Sequence, residues 1–321
     1  MSGLFTLAEL RDAAGLVHRS LGRTAQIEWP LVNDALGTRA VIKHENHLPT
    51  GAFKARGGVT FIDWLRREHP DCPGIISATR GNHGQSQARA AVAAGLRAVI
   101  YAPRGNSVEK NAAMRAYGAE LVEFGDDFDE AREQAFRVAE TEGLYPVPPF
   151  HRELVRGVAT YGLELFQAHP DLDVVYVPIG CGSGICGVIS ARDALGLDCD
   201  VVGVVSENAA CAKLSVEAGR LIETNSASTL ADGMAVRVPV QQAFDIYSKG
   251  AARIVAVSED EITTAMRLYF QSIHQVAEGA GAAPLAAAMK ERNGLAGRKV
   301  GLILSGGNVD MPVYARILAG A

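Results

Sequence analysis

What most constrains this chain is a rhythm: short apolar runs alternate with longer amphipathic stretches along nearly its whole length. A run such as Val300-Gly301-Leu302-Ile303-Leu304 has no polar face, so a sheet built from it needs cover on both sides. The amphipathic stretches supply that cover, and the pattern predicts an α/β fold with a parallel-rich, twisted sheet flanked by helices. Strands are expected at 40–42, 74–77, 98–101, 120–123, 174–179, 201–205, 253–257 and 300–304. Helices are expected at 54–69, 84–94, 108–117, 128–142, 157–168, 185–194, 259–271 and 281–293. Pro146, Pro148 and Pro149 cluster where a helix cannot continue, and they mark a crossing between two lobes. Residues 50–147 hold several strand–helix alternations of their own. They are expected to form a small domain inserted into a large one made of 1–49 and 148–321, with a ligand cleft between them.

A chain of 321 residues is long enough for a large core and two lobes. With 21% charged residues, a net charge of −5 and no dense Lys/Arg block, a nucleic-acid partner is not expected. The first ten residues lack the basic stretch and apolar run of a secretory signal, and no apolar segment approaches the roughly 18 residues of a membrane helix. Cys72, Cys181, Cys186, Cys199 and Cys211 form no C-x-x-C pair. Free thiols in the cytoplasm are therefore expected rather than a zinc or redox centre.

Four segments carry chemistry. In Pro49-Thr50-Gly51-Ala52-Phe53-Lys54, Thr50 is expected to cap the helix beyond it and place Lys54 in the first turn. There the positive end of the helix dipole disfavours an ammonium, and a neutral amine is what imine formation needs. A surface lysine beside a loop fits the same segment. In Thr79-Arg80-Gly81-Asn82-His83-Gly84, the glycines and a helix start offer N–H groups to a carboxylate or phosphate. A strand-to-helix turn with a core histidine fits it too. Gly180-Cys181-Gly182-Ser183-Gly184 follows an apolar run and opens a helix, the arrangement of a phosphate cradle. Gly182, Gly184 and Gly187, with Glu207 twenty positions on, also satisfy the dinucleotide fingerprint, which alone points to an NAD-binding oxidoreductase. The fourth segment, Ser305-Gly306-Gly307-Asn308, turns after the last strand and by itself fits a plain strand-to-helix turn.

In this order the four segments resemble the serine/threonine dehydratase and serine racemase family, fold-type II enzymes of pyridoxal 5'-phosphate (PLP) built like the β subunit of tryptophan synthase. The resemblance runs from Arg23-Thr24 to Asn308 and takes in Ala231-Asp232-Gly233 and Glu278-Gly279-Ala280-Gly281. It implies that Lys54 holds the cofactor as a Schiff base and later takes the α-proton. Phe53 and Gly233 would flank the ring, and Asn82 would meet its phenolic oxygen. Gly180, Cys181, Gly182, Ser183 and Gly184 would hold the phosphate, and Ser305 would face the ring nitrogen. Thr79, Arg80, Gly81 and His83 would contact substrate. A hydroxyl beside the ring nitrogen does not enforce pyridinium, which favours loss of the β-hydroxyl over racemisation.

The resemblance therefore implies an ammonia-lyase of β-hydroxy amino acids: L-threonine, L-serine, a 3-substituted serine such as phenylserine, or a hydroxylated osmolyte-derived amino acid. It also implies a homodimer or larger homo-oligomer. With the sequence ending at Ala321, soon after that last motif, a catabolic role without a regulatory domain is expected. A β-replacement enzyme and a non-catalytic nucleotide-binding protein are the other readings.

This sequence departs from the family in four places. Its phosphate loop is not an all-glycine run, and Ala52 stands where serine usually precedes Phe-Lys. Arg80 stands where racemase-like members carry an acid/base serine, and a guanidinium does not give up its proton at neutral pH. Little racemase activity is expected; Arg80, placed among the catalytic and substrate-binding residues, either meets a second polar group of the substrate or points to solvent or into a structural ion pair. Metal-dependent relatives pair a glutamate at the place of Glu207 with a nearby aspartate. Lys213 stands at that second place, so its ammonium is expected to replace the cation and no metal is expected.

Overall fold

The computed structural model describes residues 3–320. In chain order its strands are β1 (Gln26–Glu28), β2 (Ala40–His44), β3 (Gly74–Ala78), β4 (Arg97–Ala102), β5 (Glu120–Glu123), β6 (Tyr145–Pro146), β7 (Val174–Pro178), β8 (Asp200–Ser206), β9 (Arg253–Val257) and β10 (Val300–Leu304). They form two sheets, ordered β1-β2-β10-β7-β8-β9 and β5-β4-β3-β6. Every pairing is parallel except that of β1 with β2. β5, β9 and β10 have the bounds that periodicity predicts.

The larger sheet is buried on both faces, as its apolar strands require. Along β7, Val175 and Val177 enter one core with Val201, Val205 and Ile303, while Val174 and Tyr176 enter the other with Val202, Val204 and Leu302. The smaller sheet divides in the same way, with Ile75 and Ala98 on one side and Ile76, Val99 and Tyr101 on the other.

The helices are α1 (Leu7–His18), α2 (Pro30–Leu36), α3 (Lys54–Glu68), α4 (Asn82–Ala93), α5 (Val108–Ala116), α6 (Phe128–Glu142), α7 (Arg152–Ala168), α8 (Ser183–Leu195), α9 (Cys211–Ala218), α10 (Gln241–Gly250), α11 (Glu259–Ile273), α12 (Gly279–Lys290) and α13 (Met311–Ala319). Sequence periodicity did not anticipate β1, β6, α1, α2, α9, α10 or α13. β1 and β6 are three and two residues long, too short for a period to show. β6 also contains Pro146, tolerated there because the strand lies at the sheet edge. Thr50 does not cap α3. Its hydroxyl donates to the Ala52 carbonyl at 3.2 Å, and the N-cap position falls to Phe53, which offers no side-chain acceptor. Lys54 is nonetheless the first residue of α3.

Beneath that first turn lies a buried charge network. Arg56, with no exposed surface, donates to Glu45 Oε2 at 2.7 Å, to Glu164 Oε1 at 2.6 Å and to Thr160 Oγ1 at 3.0 Å. Lys43, also fully buried, donates to Glu164 and to the Thr24 carbonyl. Two cations meet two carboxylates, joining α3, α7, β2 and the segment ahead of β1. Burial pushes the Glu164 pKa up, but Arg56 and Lys43 outweigh it and hold this carboxyl at about 2. Close helix packing accompanies the network: a Cβ on Gly57 would lie 2.8 Å from the Leu154 carbonyl of α7.

Candidate active site

The carboxyl ends of β3, β7 and β10 face a cleft of about 1030 Å³ between the two sheets. Ligand crevices of open parallel sheets lie at such strand ends. All the site residues expected from sequence line this one cleft: Phe53, Lys54, Thr79, Arg80, Gly81, Asn82, His83, Gly180, Cys181, Gly182, Ser183, Gly184, Gly233 and Ser305. Segments far apart in the chain are tied together to make it. The Phe53 N–H donates to the Ser305 carbonyl at 3.0 Å, the Gly307 N–H to the Gly51 carbonyl at 2.9 Å, and Asn308 Nδ2 to the Thr50 carbonyl at 2.8 Å.

Lys54 points its amine at the glycine loop, donating to Ser183 Oγ at 3.1 Å. Burial lowers its pKa, the direction expected from sequence. The nearby Cys181 and Glu278 oppose that shift without cancelling it. Beside Lys54, Phe53 stands edge-on to Tyr161, with ring centroids 6.0 Å apart.

The loop before α8 fits a phosphate group. Gly182 is the N-cap, in left-handed backbone at φ 97°, and brings no side-chain cap to the first turn, whose N–H groups face the cleft mouth. A side chain at Gly180 would collide with the Gly233 carbonyl, so backbone alone shapes this corner. Gly233 is exposed and lines the cleft with Phe53. Ser305 is buried where β10 ends.

Asn82 opens α4 and is held from both sides. Its Nδ2 donates to Glu278 Oε1 at 2.9 Å, and its Oδ1 accepts from Asn308 Nδ2 at 2.8 Å. Glu278 is 3% exposed, and burial followed by the neighbouring Asp232 pushes its pKa up to about 7. His83 Nε2 is buried without a hydrogen-bond partner among the described residues. Burial, then the charge of Lys54, takes its pKa down to about 3.

Glu278 and Asp232 also line the cleft, although sequence motifs gave them no role there. Asp232 pairs with Lys110 of α5, a contact between the part carrying the small sheet and the rest. For Glu278 a signal existed: a carboxylate heading the run Gly279-Ala280-Gly281-Ala282 has no place in an apolar core unless something polar meets it. The expectation for Lys213 needs correction. Its ammonium pairs with Glu217, one turn along α9, while Glu207 meets Lys290 Nζ at 3.3 Å. Lys290 also donates to the Ala256 carbonyl and to Glu261, both at 3.0 Å. Glu207 is outside the cleft, so the second half of the dinucleotide fingerprint is not at the site.

A buried lysine of lowered pKa at a helix start, a glycine-rich loop opening a helix and a serine at a strand end together fit a PLP site. The chain belongs to the pyridoxal-phosphate dependent enzymes, whose family profile matches residues 17–306. Within them it falls in the serine/threonine dehydratase-like branch. It is 35% identical over 98% of its length to an L-threonine ammonia-lyase of Thermotoga maritima, covering 78% of that protein. It is 31% identical to the L-threo-3-hydroxyaspartate ammonia-lyase of Saccharomyces cerevisiae, over 98% of this chain and 97% of that one. The crystal structure of a T.th. threonine deaminase superposes with a TM-score of 0.89 at 32% identity, over 96% of this chain and 99% of the other. Among the described residues no helix is long and apolar enough to cross a membrane.

Proposed function

We propose that this protein removes water and then ammonia from a β-hydroxy amino acid, leaving a 2-oxo acid. L-threonine, L-serine and 3-substituted serines are the substrates in view. The observation that carries the reading is Lys54, a pKa-lowered amine 3.1 Å from the hydroxyl of a phosphate-cradling loop. When bound, PLP supplies the electron sink that makes the substrate α-C–H acidic.

The chain does the rest. Ser183 and the amides around Gly182 and Gly184 would hold the phosphate, and Phe53 and Gly233 would flank the ring. Asn82, whose Nδ2 donates to Glu278 Oε1 at 2.9 Å and Oε2 at 3.1 Å, would meet the phenolic oxygen. Thr79 Oγ1 accepts from the Gly81 N–H at 3.2 Å, which leaves its own proton for the substrate carboxylate. Lys54, neutral once released, takes the α-proton on its Nζ. His83, neutral throughout the physiological range, offers Nε2 to a polar group of the substrate. Ser305 would face the ring nitrogen with a hydroxyl instead of a carboxylate, which favours loss of the β-hydroxyl over racemisation. Arg80 cannot serve as the second acid/base that racemisation needs.

The same reading takes 50–147 as the small domain and 1–49 with 148–321 as the large one, in keeping with the two sheets. It places a homo-oligomer in the cytoplasm and requires no divalent metal, since Lys290 already supplies a cation to Glu207.

The test is the purified protein incubated with PLP. Borohydride reduction should label Lys54, and a panel of β-hydroxy amino acids should release ammonia and 2-oxo acid in equal amounts. Lys54→Ala should lower turnover by at least about 10³-fold. A protein that stays colourless, or a Lys54→Ala variant with undiminished turnover, overturns the reading.

A further inference from the structure

Arg80 is a charged group of the cleft that the reaction above leaves unused, as it does Asp127, Asp129, Arg132, Glu133, Asp232 and Arg237 along the same lining. Its backbone is pinned: the carbonyl accepts from Asn106 Nδ2 at 3.1 Å, and that same amide nitrogen lies 2.7 Å from Asn111 Oδ1. Its side chain is exposed into the cleft and makes no ion pair or hydrogen bond with any described residue. The neighbouring cations are committed. Arg132 and Arg237 both sit on Asp129, at 3.1 and 3.0 Å, and Lys110 is taken by Asp232. Position adds to this. Arg80 stands between Thr79 and Gly81, the groups assigned to the substrate α-carboxylate, and lines the same cleft.

A guanidinium presents a planar fork of donors that a carboxylate matches in two hydrogen bonds. An unpaired one held on a fixed backbone is a recognition element without its counter-charge. We propose that Arg80 is a specificity-determining residue that binds a second carboxylate, carried on the β-carbon, so that the favoured substrates are β-hydroxy amino dicarboxylates. This rests on the elimination reading. The bonds balance without a co-reactant: the α-proton goes to Lys54, the Cβ–O bond breaks and the hydroxyl leaves with a proton as water. The enamine then tautomerises and takes up water, giving a 2-oxo dicarboxylate and ammonia.

The experiment compares 3-hydroxyaspartate with 3-hydroxyasparagine, an acid and its near-isosteric neutral amide. The wild-type holoenzyme should prefer the acid by about 10- to 100-fold in kcat/KM, mostly through KM. Arg80→Gln should bring that ratio close to one, and Arg80→Lys should restore part of it. A second readout needs no turnover: malonate should bind the wild-type holoenzyme at least about tenfold more tightly than propionate, and Arg80→Gln should erase the difference. An acid-to-amide ratio near one in the wild type, or a ratio unchanged in Arg80→Gln, overturns the proposal. If no β-hydroxy amino acid is consumed, the elimination reading fails, and the malonate comparison still decides what Arg80 binds.

Discussion

Two residues apart on one helix, Arg56 and Lys54 show opposite ways of burying a cation. Arg56 meets two carboxylates and a hydroxyl, and Lys43 completes the balance, so every charge beneath α3 has a partner. Lys54 has one neutral serine, His83 Nε2 has no partner among the described residues, and Glu278 is pushed toward neutrality. The first region is satisfied and holds the helix in place. The second is left unsatisfied, and its unmet polar groups await a ligand. Tight burial makes either arrangement costly to disturb, but only the second responds to what enters the cleft.

The comparison breaks most visibly at Arg56. Arg56→Met takes from buried Glu45 its guanidinium partner and leaves Glu164 to Lys43 and His18, and should cost about 3–5 kcal/mol in urea unfolding. A loss under about 1 kcal/mol would mean that water reaches the network. Glu278 sharpens the contrast through pH. Its pKa in the folded protein lies above the ordinary value of 4.5, so the folded chain binds the extra proton between about 4.5 and 7. Stability of the apoprotein should therefore fall as pH rises through that window, by about 1–3 kcal/mol. Glu278→Gln should flatten the profile, and a variant that keeps the slope would assign it elsewhere. The smallest effect is expected at Ser183. Ser183→Ala removes one of several phosphate contacts and should weaken PLP binding about five- to tenfold in an absorbance titration. Unchanged affinity would show that the backbone amides alone make the cradle.

These two regions were not equally legible. Lys54, Asn82, Ser183 and Ser305 announce themselves because each sits in a turn whose glycines and small residues have few other uses. The charge network does not, since Arg56 and Glu164 lie 108 positions apart and look like ordinary polar residues of amphipathic helices. Glu278 stands out in sequence only as a carboxylate ahead of an apolar run, its partner Asn82 being 196 positions away. Periodicity found the interior strands and the edge strands β5 and β9, whose runs are four and five residues long. It missed β1 and β6, edge strands of three and two residues, where pairing rather than pattern makes the strand. The misplaced Lys213 shows the same limit. Counting along the chain could not reveal that Lys290, from a different helix, fills the space beside Glu207.

β10, last of the strands in the chain, lies between β2 and β7 near the middle of the larger sheet, and the segment just past it hydrogen-bonds to the turn that carries Lys54. A ribosome must therefore travel past that strand before the sheet can close and the lysine can be set in its place. A nascent chain halted short of residue 300 would carry an open seam rather than a partly working enzyme. Loading with the vitamin-derived cofactor thus waits on late synthesis, however early the lysine itself is made.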